Sequence, residues 1–463
     1  MRLVTLLALF FAACAVGPNY KKPDFKAMPD QWMENISVPD VSALNLPWWE
    51  SLHDPVLDKL IDAALVNNGD LKIAVARVEQ ARAERLAAQA ALLPNVSGKV
   101  SGLRGNAGTS TIDRTSNLFD SEFDASWELD IFGGGRRAAE AARANLDSRR
   151  ASVRQVQVSL LAEVVRNYLD FRRLEQQLKL TQENLEAQQG TLVAVREQMK
   201  EGVASLLDLS RVESQALTTE SDIPDLTSQL VTSRNNLAVL AGLTPAQVLP
   251  YLVAEPLPTV TPKLMLSTPA SVITSRPDVQ VAERDLAAAT ANQGVALSNW
   301  FPKVNLAGLF GLQHITGLPS FRAWNVGGTI QLPIIDFGRV RAMVRQADAR
   351  QQEALATYEQ TIKSALADVE SSLNAYAKAR DRQVILEKAA KASGQAEQLA
   401  RIQYKEGIAS LLDVLDAQRQ RLQSETTLVT AKAKVGQSYA ALYKALGGGG
   451  TYRLDKALPE LFN

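Results

Sequence analysis

The chain is written twice, and this duplication limits its fold more than any single motif does. Residues 196–217, REQMKEGVASLLDLSRVESQAL, match 401–422, RIQYKEGIASLLDVLDAQRQRL, without a gap at an offset of 205. LLPNVSG (92–98) matches WFPKVNL (300–306) at an offset of 208, and LDIFGGGR (129–136) matches LPIIDFGR (332–339) at 203. Three registers in the same order, with near-equal offsets, mean two halves of one design. The Pro-rich stretch 250–262 fits the linker between them.

Each half follows one plan. A helical run (about 55–92, then 277–299) ends at Pro94 or Pro302. Two period-two segments follow, then a Gly turn, a very long helix, a KEG break and a returning helix. Leu355, Tyr358, Ile362, Ala365, Val369, Leu373 and Tyr376 recur every three or four residues, which predicts a helix packed in coiled-coil fashion. From about 340 to 405 that helix would run roughly 95–100 Å at 1.5 Å per residue. Such a length suits a tube or rod rather than a compact domain.

The period-two segments alternate apolar and polar positions. In LFDSEFDASWELD (118–130), Phe119, Phe123, Ala125, Trp127 and Leu129 share one face with Ser121. Asp120, Glu122, Asp124, Glu128 and Asp130 share the other, because successive strand side chains point to opposite sides. Its partner is weaker, with Val96 and Val100 alternating with Ser97, Lys99 and Ser101. In the second half, Val304, Leu306, Phe310 and Leu312 alternate with Lys303, Asn305 and Gln313. Trp324, Val326, Ile330 and Leu332 alternate with Asn325, Thr329 and Gln331. A soluble strand with one wet face is the plain reading of any one segment. Four of about ten residues, joined by polar loops, match a membrane β-barrel with lipid on one side and a lumen on the other. Four strands are too few to close a barrel, and open edges do not survive in lipid. Several copies must therefore share one barrel, and the acids line its lumen. They favour cations there, provided Lys99 and Arg104 do not neutralise them.

Composition excludes some classes. Among 463 residues, Lys+Arg 50 balance Asp+Glu 50, so the basic excess expected of a nucleic-acid binder is absent. No apolar run reaches the ~18 residues of a membrane-spanning helix. The N-terminus, MRLVTLLALFFAACAVGPNY, carries Arg2, an apolar run to Phe11 and small residues before Cys14, the chain's one cysteine. It resembles a bacterial lipoprotein signal cut before Cys14, which would then take acyl chains such as palmitate. Phe11 stands where leucine is usual, and Ala15 after the cysteine resembles lipoproteins sorted to the outer membrane.

Further stretches extend the pattern: CAVGPNYKKP (14–23), WWESLHDPVLDKLIDAALVNNGDLKIA (48–74), SRPDVQVAERDLAAATANQGVALSNWFP (275–302) and LLDVLDAQR (411–419). In this order they resemble the TolC-like outer-membrane efflux channels, lipoprotein branch (NodT type), over almost the whole chain. The resemblance implies a mainly α fold with a small β part. It implies a homotrimer with a hollow periplasmic α-barrel and a twelve-stranded β-barrel, four strands from each protomer. The organisation expected is signal peptide 1–13, lipidated and equatorial segment 14–54, first repeat 55–243 with a hairpin at about 95–131, and linker 244–274. The second repeat is 275–446 with a hairpin at about 302–334, and the tail is 447–463.

Carried over position by position, the resemblance assigns the periplasmic gate to Leu412 and Asp416, four apart on one helical face, with Asp413 beside them. Three Asp416 carboxylates near an axis would repel and favour a bound cation. The tips at Gly202, Val203, Ala204, Ser205 and Gly407, Ile408, Ala409, Ser410 resemble surfaces that meet a periplasmic adaptor protein. The expected partners are that adaptor, a proton-driven inner-membrane pump of the RND type, outer-membrane lipid and two further copies, with no nucleic acid and no cofactor. The function expected is a passive exit duct for drugs or other small solutes in a tripartite pump, and the place is the outer membrane. A duct for type I protein secretion shares the fold, and a coiled-coil filament would use the helices but not the strands.

Other motifs are weaker. FGGGRR (132–137) lacks the GxxxxGK[ST] spacing of a phosphate loop and reads as a strand-to-helix turn. His53 and His314 lack a nearby Cys or second His, so no metal site is expected. WWES (48–51) reads as packing or an interfacial anchor. With histidine this scarce, no nucleophile–base arrangement stands out, and no enzymatic activity is expected.

Overall fold

Asp54 starts the first helix. Its carboxylate accepts from the backbone N–H of Val56 and Leu57, and Pro55 occupies the first turn, where a missing N–H costs nothing. This helix, α1 (Pro55–Asn67), stops at Asn68, whose ψ of 133° leaves the helical path. The Asn68 side chain then accepts from Leu71 N–H and so caps α2 (Gly69–Ala90). The single helical run expected over 55–92 is therefore two helices, because an asparagine interrupts it.

The computed structural model describes residues 15–24, 29–33, 46–106, 115–259, 268–315 and 319–453. The expected lipidation site, Cys14, lies outside them, as does the signal segment. After α2 come β1 (Asn95–Asn106), β2 (Thr115–Leu129), α3 (Gly134–Lys200) and α4 (Leu206–Leu240). Short helices α5 (Pro245–Val248) and α6 (Pro269–Ser275) lead to α7 (Pro277–Ser298). The plan then repeats as β3 (Lys303–Ile315), β4 (Phe321–Gln331), α8 (Arg339–Lys405) and α9 (Leu411–Leu446). Helices α3 and α8 are each 67 residues long, so the duplication has kept their length to the residue.

The chain divides into two compact units. One draws on 1–26, 76–151 and 280–361, the other on 27–75, 152–279 and 362–463. The first unit holds one antiparallel sheet in the order β1-β2-β3-β4, in which the two hairpins join through β2 and β3. Arg137 ties the start of the described chain to this unit. Its guanidinium donates to the carbonyls of Val16 and Gly17, to Asn19 Oδ1 and to Glu140. Gly17, at φ +95°, passes so close to Gly294 that a Cβ would lie 2.6 Å from its Cα.

The second unit has the larger aromatic core. Trp48 stacks on Tyr443 with centroids 5.0 Å apart, and Trp49 meets Tyr452 edge-on at 4.9 Å. Both tryptophans are buried, so WWES is packing rather than an interfacial anchor. On α8 the expected stripe is buried from Tyr358 through Ile362, Ala365, Val369 and Leu373 to Tyr376. On α3 the second unit buries charge instead. Tyr168 donates its hydroxyl proton to Asp54, and Arg172 donates to Tyr168 (2.9 Å), Glu175 (2.6 Å) and the Val253 carbonyl (2.6 Å). Desolvation leads in raising the Glu175 carboxyl above its ordinary range, against the pull of Arg172.

Candidate functional site

The sheet is built inside out relative to a soluble protein. Val100 is 83% exposed, Phe123 65%, Trp324 72% and Val326 82%, whereas Asp120, Glu122 and Asp124 are half-buried. Register explains why the faces stay separate. Phe123 lies between Gly98 and Phe310, and Phe310 faces Trp324, so apolar side chains form one continuous surface. On the other face Asp120 lies between Ser101 and Gln313, Glu122 opposite Lys99, and Glu128 opposite Asn305. An isolated sheet in water could not keep so much apolar area bare at its largest side chains. Among the described residues no helix is long and apolar enough to cross a membrane.

The acids are not equivalent. Lys99 Nζ lies 3.3 Å from Glu122, and Lys303 Nζ lies 3.7 Å from Glu128. Ser101 donates to Asp120 at 3.4 Å. Arg104 shares the strand parity of Val100 and sits opposite Asn117, so it projects to the apolar face and does not oppose the acids. Asp130 departs from expectation. It follows the last residue of β2, and its carboxylate accepts from Gly135 N–H and Arg136 N–H while pairing with the Arg136 guanidinium at 3.1 Å. It caps α3 rather than facing outward from the strand. The glycines of FGGGRR serve the same turn, with Gly133 at φ +80°.

The two helix breaks share one geometry. Gly202 and Gly407 take φ +75° and +72°, the left-handed region glycine tolerates. Val203 N–H donates to the Gln198 carbonyl and Ile408 N–H to the Gln403 carbonyl, both at 2.8 Å, closing each helix end. Ser205 and Ser410 then open α4 and α9 with capping boxes. Each hydroxyl donates to the aspartate three residues on, Asp208 or Asp413, and accepts from that residue's N–H. These bonds hold both carboxyls below the usual carboxylate range. Asp413 is thus engaged at the cap, and the two serines have a structural task besides any surface role. Val203 (75%) and Ile408 (72%) are bare, while Ala204 packs on a small core of Val195, Val212, Leu411 and Leu415. Tyr404 donates to Gln198 Oε1 at 3.0 Å and ties one repeat to the other.

Leu412 and Asp416 come to one face of α9, in a groove of about 370 Å³ shared with Ser210, Arg211, Ser214 and Arg419. Arg419 Nη2 lies 2.5 Å from Asp416 Oδ1. Sequence reasoning missed this partner, although i, i+3 spacing of opposite charges was there to signal it. The repeat equivalent of Asp416 is Arg211, so the groove carries opposite charges at related positions. The two histidines are far from any ligand set. His53 ends the turn Trp48–Leu52 at φ 52°, His314 pairs with Ser320 at 3.1 Å, and no metal-binding group of side chains occurs among the described residues.

Paired long helices joined to a sheet with a bare apolar face define a channel protein of the TolC-like outer-membrane class. The profile of the family described as outer membrane efflux protein matches residues 60–243 and again 268–448, one match to each repeat, and the chain belongs to that family. It is 30% identical to Nodulation protein T of Rhizobium leguminosarum bv. viciae over 96% of this chain and 92% of the relative. It is 34% identical to the pyoverdine export outer membrane protein OpmQ of Pseudomonas putida over 91% and 92%. Among solved structures it is similar to the outer-membrane channel OprN, with TM-score 0.87, 34% identity and coverage of 94% and 100%. The class is that of an outer-membrane efflux channel of the NodT type.

Proposed function

We propose that the chain is the outer-membrane duct of a tripartite efflux pump. Three copies close a twelve-stranded barrel, and the long helices continue it as a periplasmic tube. The single observation that carries this reading is the sheet with bare aromatics on one face and half-buried acids on the other. Lipid would cover the first face and water the second. Cys14, acylated, would anchor the same assembly. The relative OpmQ is named for pyoverdine export, which favours solute efflux over protein secretion for this chain.

The duct itself supplies no energy. The bare residues Gly202, Val203, Gly407 and Ile408, with Ala204 and Ala409 beside them, would dock the adaptor of a proton-driven inner-membrane pump. Ser205 and Ser410 would fix the approach by holding each tip in shape. Leu412 and Asp416 would form the closed aperture, and adaptor binding would shift the population towards the open state. Asp120, Glu122, Asp124 and Glu128 would face the lumen, with Lys99 and Lys303 offsetting two of them. The test is single-channel recording in planar bilayers. Asp416→Ala should raise conductance severalfold, and unchanged conductance would remove Asp416 from the aperture.

A further inference from the structure

The core-facing stripe of α3 changes chemistry along its length. Leu161, Val165, Leu169 and Leu174 are buried towards its middle, and Val195 is buried again beside the tip. Between Leu174 and Val195, at the same spacing of three and four, the buried positions are Gln177, Thr181, Asn184 and Gln188. Gln177 Nε2 donates to Thr430 Oγ1 at 3.1 Å and Lys444 Nζ to Glu163 at 3.2 Å, which sets α3 and α9 antiparallel in one register. That register brings Gln188 level with Gln418 on α9.

The chain satisfies neither glutamine. Gln188 is 1% exposed and Gln418 3%, and the Nε2 and Oε1 atoms of both are fully buried with no hydrogen-bond partner among the described residues. Turning either amide over exchanges its nitrogen and oxygen but pairs neither. A further copy of the chain cannot reach them, because one chain alone buries them. Val195 packs with Val212, and Tyr404 donates to Gln198, so Thr219 on α4 and Ser393 on α8 come to the same level. Each donates its hydroxyl within its own helix, to the Gln215 carbonyl at 3.1 Å and the Ala390 carbonyl at 3.0 Å. At this level the unmet demand is confined to the α3–α9 seam, where one repeat meets the other.

We infer that Gln188 and Gln418 bind internal water in the wall between the repeats, and that this water sets the position of α9 and of the aperture residues it carries. The role rests on the proposed reading of Leu412 and Asp416 as the aperture and names what positions them. An unpaired buried amide is costly, and a site between two amides supplies the several polar partners that a water needs. Bridging water bonds almost as well as a direct contact, and it re-forms at a new spacing, which close-packed apolar groups cannot do. Towards the tip lies the dry cluster of Val195, Val212, Leu411 and Leu415, which holds the start of α9 as one piece. Asp416 is only two residues from Gln418, so a shift of α9 at the wet layer passes directly to the carboxylate.

Gln188→Met with Gln418→Met tests this in the full protein, because methionine keeps the unbranched length of glutamine without the amide. A high-resolution cryo-EM map of the unsubstituted protein in lipid nanodiscs should show ordered density within hydrogen-bond distance of both amides, and the methionine pair should lose it. Amide exchange across residues 414–424 should slow roughly fivefold in the pair as the layer dries. In an Asp416→Ala channel the same pair should cut conductance roughly threefold, by holding α9 closer to α3. Thr219→Val removes a hydroxyl of that level that needs no water, and it should leave exchange and conductance unchanged. Should the pair not assemble, Gln418→Met alone carries the same comparison. Two amides bonded directly to each other, with no density between them, overturn the water site. Exchange and conductance in the methionine pair equal to those of Thr219→Val overturn the positioning role. If Asp416→Ala alone leaves conductance unchanged, the aperture reading fails, and the map and the exchange still decide the wet layer.

Discussion

The repeats agree in backbone and differ in what they bury. Helices α3 and α8 have the same length, and the breaks after them use the same glycine, the same carbonyl contacts and the same serine cap. At an offset of 205, however, Tyr168, Phe171, Arg172 and Glu175 correspond to Leu373, Tyr376, Ala377 and Arg380. The first repeat buries an arginine network at the level where the second buries an apolar stripe. Duplication fixed the scaffold, and later substitution gave each copy its own neighbours. The charge in the tip groove tells the same story, with Arg211 in one copy and Asp416 in the other.

The arginine network gives the largest expected difference between repeats. Arg172 is 1% exposed and donates to three acceptors, Tyr168 and Glu175 on its own helix and the Val253 carbonyl of the linker. Arg172→Met removes all these donors while the acceptors stay in place, and breaking a buried charge network of this kind costs about 3 kcal/mol. Ala377→Ser at the related position should stay within about 0.5 kcal/mol. Denaturant unfolding in detergent, followed by tryptophan fluorescence, checks both, because Trp48 and Trp49 lie in the same unit. Equal midpoints for the two variants would mean that the networks, despite their chemistry, are energetically interchangeable.

At the tips the repeats should respond alike. Gly202 and Gly407 both have positive φ, and a Cβ added at either would meet nothing within 4 Å. Alanine there therefore brings backbone strain without a clash, about 1 kcal/mol at each position. Hydrogen exchange at the Val203 and Ile408 amides should accelerate roughly fivefold in the matching variant, since about 1 kcal/mol is a factor of that order. An unequal response would show that an unseen contact holds one tip.

Much of this architecture is legible in the sequence, for stated reasons. The offsets expose the duplication, strict alternation exposes the strands, and the spacing from Tyr358 to Tyr376 exposes a buried helical stripe. What stays hidden is capping and pairing. Asn68 interrupts a helix within a run that is otherwise helical in pattern, and only its bond from Leu71 reveals a cap. Asp130 continues the strand alternation in the sequence, yet the chain has already turned and its carboxylate serves Gly135 and Arg136. A lone Arg172 on a long polar helix reads as solvated, because the Val253 carbonyl it donates to, and the Asp54 that accepts from its neighbour Tyr168, are remote in sequence. The shared face of Leu412 and Asp416 follows from their spacing and from family resemblance, whereas resemblance does not carry the ion pair that Asp416 makes with Arg419.

The smallest expected effect concerns acid. Asp208 and Asp413 each lie below the ordinary 3.8, chiefly because the serine hydroxyl and N–H of the cap donate to the ionised carboxylate. A group whose folded value is depressed contributes its stabilisation above the unfolded value and loses it as pH falls through the folded one. Both caps should therefore be intact from neutral pH down to about 4 and loosen below it, with no change between about pH 5 and 8. Because the two boxes share geometry, amide exchange at residues 205–208 and 410–413 should rise together on acidification. Ser205→Ala should abolish the acid step in the first segment and leave the second unchanged. If Ser205→Ala shifts both segments, the tips are coupled through Tyr404 and Gln198, and the breaks act as one element rather than two copies.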